Sequence, residues 1–214
     1  MRTISKSPEP SLLTAWKKKN HHGHYNQLTE DIRRAIRQLA LEEQFYLCAY
    51  CCQQINDINV YHNEHVEAQS LNPARTLDFS NIVASCNTCN QCGNAHKSQD
   101  LPLTPLMAEC EIELQFNISG RVKGLSERAR DTIRVLNLGD HEEKNRALIE
   151  KRKQLSHALF WMNGLDPQEG LEDEELLEIL VSDLSQPTQS QMEPFTPVVI
   201  NILRSWLKPL KSDS

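Results

Sequence analysis

Cys48-Ala-Tyr-Cys51 and Cys86-Asn-Thr-Cys89 flank a stretch that holds Glu64-His65 and Asn81, and Asn90 follows the second pair directly. Two C-x-x-C pairs can deliver four thiolates to one tetrahedral zinc. With sulfur in every position no place is left for water, so such a zinc is structural and staples the chain between the pairs. Seven cysteines in a chain without a secretory leader read as metal ligands plus spare thiols rather than disulfides. Cys52, Cys92 and Cys110 are then spare. Cys92 also forms a C-x-x-C with Cys89, and Cys52 adjoins a ligand, so either is an alternative for the fourth position.

The residues inside the staple suit phosphodiester hydrolysis. That reaction needs a base for the attacking water and a cation against the charge on the scissile phosphate. His65 fits the base, since imidazole titrates near neutrality. Glu64 and Asn90 offer hard oxygen donors to Mg²⁺ or Mn²⁺, and Asn81 is placed to orient His65 by a bond to one ring nitrogen. A lone histidine is more often a satisfied structural side chain. The cysteine frame, with Asn81 and Asn90 near, favours the catalytic reading. His62 assists or is structural, His96 rivals Asn90 for the third position, and Lys97 is placed to meet a phosphate.

These residues need elements to hold them. Residues 1–45 read as an arm, extended over 1–25, and then a helix starting at Thr29-Glu30-Asp31 with Ile32, Ala35, Ile36, Leu39 and Ala40 at helical spacing. Residues 46–125 form the central module. There Gln53–Ile58 and Val60–Val66 are expected as strands, and a short polar helix should follow Cys86. Alternating Glu109–Phe116 should turn at Ser119-Gly120 into Arg121–Lys123 as a hairpin. Residues 126–214 read as four helices. They start at Ser126, near Glu142, after Asp173 and at Thr196-Pro197, the last carrying Trp206.

Composition adds constraints. The 214 residues carry a formal net charge of −6, which does not describe a free-standing nucleic-acid binder. Residues 1–50 hold eight Lys/Arg against five Asp/Glu, whereas residues 151–214 hold six against ten. The basic end, with Lys17-Lys18-Lys19 and His21, His22 and His24, can touch phosphates or simply be solvated. The acidic end, with Leu176, Leu177, Leu180, Val181 and Leu184 striped beside Glu172–Glu175, can dock a partner or cover its own core. No apolar run of membrane-spanning length and no leader-like N-terminus is present, so a cytoplasmic location is expected.

Cys48-x-x-Cys51, Asn63-Glu64-His65-Val66, Phe79-Ser80-Asn81-Ile82-Val83 and Ser85-Cys86-Asn87-x-Cys89-Asn90 resemble the HNH, or ββα-metal, nucleases, in an H-N-N form. The N-terminal MRTISKSPEPSLLTAW and the Pro105-Leu106…Cys110…Gly120-Arg121-Val122 segment are similar to the PtuB-type HNH subunits of Septu and retron-linked antiphage systems. The likeness is strongest over residues 45–125. It implies an α+β chain with a zinc-stapled ββα-metal module, a small β-hairpin and a helical C-terminal part. It also implies a metal-dependent endonuclease acting on DNA, or on RNA such as tRNA, with a PtuA-like ABC/SMC-type ATPase as partner. A retron reverse transcriptase with its nucleic acid is a further implied partner, and a non-catalytic zinc-stapled adaptor is the alternative. One departure stands out. Where that family is basic after the histidine, this chain has Glu67-Ala68-Gln69, so the charge that grips phosphate must come from elsewhere.

Overall fold

The computed structural model describes residues 1–56 and 61–212, with side chains described as far as residue 207. The arm is helical where an extended segment was expected: α1 covers Ser11–Lys19. Pro10 precedes its first turn, Leu13 is fully buried, and Lys17, Lys18 and Lys19 sit in the last turn, where cations favour the helix dipole. α2 (Glu30–Glu43) begins where Thr29 predicts and buries Ile32, Ile36, Ala40 and Leu41. The two expected strands of the central module run into residues 57–60, which lie outside the described residues. Of the remainder, Gln54 makes an isolated bridge to Leu47, and β1 is Tyr61–His65.

β1 pairs antiparallel with β2 (Ile82–Cys86), from Tyr61 opposite Cys86 to His65 opposite Ile82. Every residue of β2 is buried, because α2 covers one face and the turn α3 (Gly93–His96) approaches from the other side. The arm is tied to this hairpin by Lys6, whose ammonium donates to Ile82 O at 2.8 Å, pairs with Glu43 and lies over the Phe79 ring.

The second hairpin is shorter than its alternation suggests. Cys110–Glu113 forms the helical turn α4, and only Leu114–Phe116 (β3) pairs with Val122–Gly124 (β4). Asn201 explains the break: its side chain donates to Glu111 O and Leu114 O and accepts from Phe116 N, doing the work of a neighbouring strand. The helices α5 (Glu127–Leu136), α6 (Arg146–Met162), α7 (Glu174–Leu184) and α8 (Thr196–Ser212) follow. Ser126, Asn145 and Asp173 cap the first three through their side chains. α8 turns Val198, Val199, Ile202 and Leu203 into the same apolar core that holds Ile4, Ile36 and Ile82, and Trp206 stacks on Phe160. The apolar side of this last helix is therefore occupied by the chain itself. On α7, Leu177 is buried while Leu176 and Ile179 stay exposed. The fold is α+β, with two small antiparallel hairpins among helices. Among the described residues no helix is long and apolar enough to cross a membrane.

Candidate metal centre and catalytic cluster

Cys48, Cys51, Cys86 and Cys92 bring their Sγ atoms within 4.8 Å of one another, all four buried. This corrects the expected set in one position: Cys89 is exposed and Cys92 replaces it. The reason lies in the backbone. Asn90 and Cys92 both have positive φ, 52° and 53°, so the chain bulges outward over residues 87–90 and folds back at Cys92. The Asn94 amide closes that bulge on Asn87 Oδ1 and Thr88 O, and Cys92 N donates to Leu136 O at 2.9 Å.

Three donated bonds address the sulfurs: Gln91 Nε2 to Cys51 and Cys86, and Cys86 N to Cys48. Burial pushes the Cys51 and Cys92 thiols well up, while bonds from the neighbouring thiols pull Cys86 strongly down. Four sulfurs packed this closely away from water are satisfied when one cation takes all four as thiolates. Arg152 lies fully buried in the field of Cys51, Cys52 and Cys92, donating to Gly120 O at 2.7 Å and Leu138 O at 3.0 Å. Its charge opposes the surplus negative charge of a four-thiolate site. The buried four-cysteine cluster is compatible with structural zinc.

Glu64 and His65 close β1 at its far end. The Glu64 carboxylate meets His96 Nδ1 at 2.6 Å through Oε1 and His62 Nε2 at 3.2 Å through Oε2. Burial pushes the Glu64 carboxyl up, but the bonds from His62 and His96 outweigh it and hold the group below its ordinary value. His96 Nε2 lies 2.8 Å from Gln99 O. Both ring nitrogens thus face acceptors, which fixes the ring, and a cation bound at Glu64 would take Nδ1 in place of its proton. Gly93 makes the close approach possible: a Cβ there would sit 2.6 Å from His62 Nε2 and 2.7 Å from Glu64 Oε2. Tyr50 is wholly buried in the field of Glu64, and its hydroxyl has no partner among the described residues.

His65 is buried, with Nε2 at 2.9 Å from Thr76 O and Tyr25 packed edge-on at 4.8 Å between ring centroids. Burial lowers its pKa, partly offset by the Thr76 bond. The expected role of Asn81 is corrected. Its amide binds the Glu67 backbone at both ends, accepting from N at 2.9 Å and donating to O at 3.0 Å. It therefore fixes the chain leaving His65, while the Thr76 carbonyl orients the ring. Asn90 is likewise not in the Glu64 cluster. It is exposed in the left-handed bulge, its carbonyl accepting from Asn137. His96, the rival for that third position, is the residue that reaches Glu64. Lys97 is exposed just beyond it.

Sequence reasoning missed Tyr25, Thr76, Gln91 and Arg152. A backbone carbonyl leaves no side-chain signal, and Arg152 sits in Lys151-Arg152-Lys153, which reads as a solvated face. Gln91 had a detectable signal, an amide within the cysteine-rich run between Cys89 and Cys92. No protein-family model matches this chain, and no curated protein shows significant similarity to it.

Proposed function

We propose that this chain is a metal-dependent HNH-type endonuclease that cuts DNA. In this reading it acts as the effector of an antiphage complex with an ABC/SMC-type ATPase. One observation carries the reading. Glu64-His65 ends an antiparallel hairpin, and His96, from the helical turn after it, returns to Glu64 at 2.6 Å.

His65 is the base. Its Nε2–H donates to Thr76 O, so Nδ1 carries the free lone pair and takes a proton from water. With its pKa below the ordinary 6.5 the ring is neutral at pH 7, which is the form a base requires. Tyr25 and the Asn81-braced turn keep the ring from rotating. Glu64, with His96 on one carboxylate oxygen and His62 on the other, would hold the cation, the Gly93 cradle leaving room for that approach. When bound, that cation supplies Lewis-acid neutralisation of the phosphate. One carboxylate with two imidazoles favours Mn²⁺ or a similar borderline ion over Mg²⁺. The net charge of −6 supports a partner, because the chain alone has little charge with which to hold nucleic acid. Apolar side chains exposed for such a contact include Leu176 and Ile179 on α7 and, more exposed still, Trp161 and Met162 at the end of α6.

The test is cleavage of matched DNA and RNA by the chain with its neighbouring ATPase, with Mn²⁺ or Mg²⁺ supplied. His65→Ala is expected to lower the rate at least ~10²-fold while zinc content and folding persist. Undiminished cleavage by His65→Ala removes His65 as base. No cleavage by the wild type returns the chain to the adaptor class, and cleavage of RNA alone changes the substrate.

A further inference from the structure

The N-terminal arm and the loop at 73–78 face each other across an open cleft of about 700 Å³. Lys17, His21, His22 and His24 line one wall, and Thr76 and Asp78 are on the other. His65 lies buried behind the lining, and each wall has a residue in it or next to it that touches the ring. Thr76, from the loop, accepts its Nε2–H. Tyr25, next to His24 in the chain, packs on its ring.

The arm wall is built. Trp16 fills the space beside Gly23 so fully that a Cβ there would lie 2.2 Å from the indole. Asn20 donates to Trp16 O at 2.8 Å, and Gly23 N donates to Asn20 O at 2.9 Å. Asn63 of β1 then pins Tyr25 through its hydroxyl at 2.7 Å. A turn with three histidines is thus held in one conformation beside the candidate catalytic ring, and that order costs nothing further on binding.

The charges favour an anion. On the loop wall Arg75 pairs with both Asp78 and Glu67, at 2.8 Å and 2.9 Å. The acidic residue that follows the catalytic histidine is therefore already answered. On the arm Lys17 lines the cleft and pairs with Glu9, whereas Lys18 and Lys19, next on α1 and outside the lining, are exposed and, like His21 and His22, have no hydrogen-bond or ion-pair partner among the described residues.

We propose that this cleft holds the phosphodiester backbone of the nucleic-acid substrate and leads it to His65, the arm supplying the cations that Glu67-Ala68-Gln69 does not. The inference rests on the nuclease reading for its substrate class but is tested by binding alone. The test uses full-length chain carrying His65→Ala, so that the probe survives, and labelled single-stranded DNA, duplex DNA and single-stranded RNA of one sequence. Binding is read by fluorescence anisotropy across a potassium chloride series.

Lys18→Ala/Lys19→Ala is expected to weaken binding at low salt by about tenfold or more. The slope of log K against log salt should fall by about 1 to 2, since each cation released from a phosphate contributes roughly 0.7–0.9. Lys18→Glu/Lys19→Glu should weaken it further, and His21→Ala/His22→Ala, in the cleft lining itself, should also weaken it. These side chains are exposed, so each variant should remain folded, the lysine variants losing only the small helix-dipole contribution of their charges at the end of α1. Binding and salt slope unchanged in both lysine variants overturn the proposal, as does no binding of any probe by the parent chain. Arm-dependent binding without cleavage by the wild type sinks the nuclease reading and leaves the cleft assignment standing.

Discussion

Cys86 faces Tyr61 at one end of the β1–β2 ladder, and His65 faces Ile82 at the other. Five residues of strand, roughly 14 Å at ~3.4 Å each, separate Cys86 of the sulfur cluster from His65, while His62 and Glu64 lie between them against Gly93, the neighbour of Cys92. The sulfur end is sealed. All four cysteines are buried, three hydrogen bonds point at sulfur, and Arg152 is enclosed with them. The imidazole side is more polar, with His62 part-exposed beside Glu64 and, at the His65 end, a cleft opening against Thr76. The turn α3 joins them: Gly93 N donates to Ser85 Oγ at 3.0 Å, and His96, three residues on, reaches Glu64. The sealed end has nowhere to admit a reactant and serves rigidity. That rigidity is what holds α3, and hence His96, against the open end.

The sharpest way to break the comparison is through the two neighbouring cysteines. Cys92→Ser removes one of four ligands from a site of a kind worth about 10–16 kcal/mol, comparable to the whole stability of a domain. We expect zinc loss and largely unfolded or aggregated protein. Cys89→Ser should bind zinc normally and melt within about 0.5 kcal/mol of wild type. Metal analysis with thermal melts checks both, and the reverse outcome would restore the C-x-x-C pair.

At the open end His96 and Asn90 are separated in the same manner. His96→Ala leaves the buried Glu64 carboxylate and Gln99 carbonyl short of a partner, so a loss of about 2–3 kcal/mol is expected, together with weaker Mn²⁺ binding. Asn90→Gly keeps the left-handed turn and the carbonyl bond to Asn137. It should change neither stability nor Mn²⁺ affinity, read by calorimetric titration of the zinc-loaded protein. Equal effects of the two substitutions would place Asn90 back among the cation ligands.

The smallest effect is acid sensitivity. Glu64 is held below its ordinary 4.5, so its contribution is present above that value and is lost as pH falls through the lower folded one. His65 is held below 6.5, so between its folded and unfolded values the unfolded chain binds more protons. Both groups therefore cost stability on acidification. We expect Tm to fall from pH 7 downward, His65→Gln to flatten the portion just below 6.5, and the acid limb of the cleavage profile to lie below 6.5. A Tm that rises between pH 7 and 5.5 would contradict the assigned shifts.

What the chain's own residues determined is local. Helix starts at Thr29, Ser126, Asp173 and Thr196 were legible because capping chemistry and apolar periodicity act within a turn or two. The pairing of Glu64-His65 with cysteine knuckles was legible because metal ligation demands particular donors. Tertiary structure decided everything that depends on where a turn points. Cys89 completes the C-x-x-C with Cys86 and Cys92 stands three residues further on, yet the left-handed backbone at Asn90 and Cys92 turns Cys92 inward and leaves Cys89 in water. Asn81 and Thr76 are both within reach of the turn after His65. Only the fold gives the amide to the Glu67 backbone and the carbonyl to the ring. The arm looked extended because Pro and Lys dominate its composition, yet burial of Leu13 and the dipole-matched lysines at its end make it a helix. Spacing lists the donors a segment can offer. Which of them meet is decided by long-range packing and by a few positive-φ residues, whose energies are small beside the geometry they select.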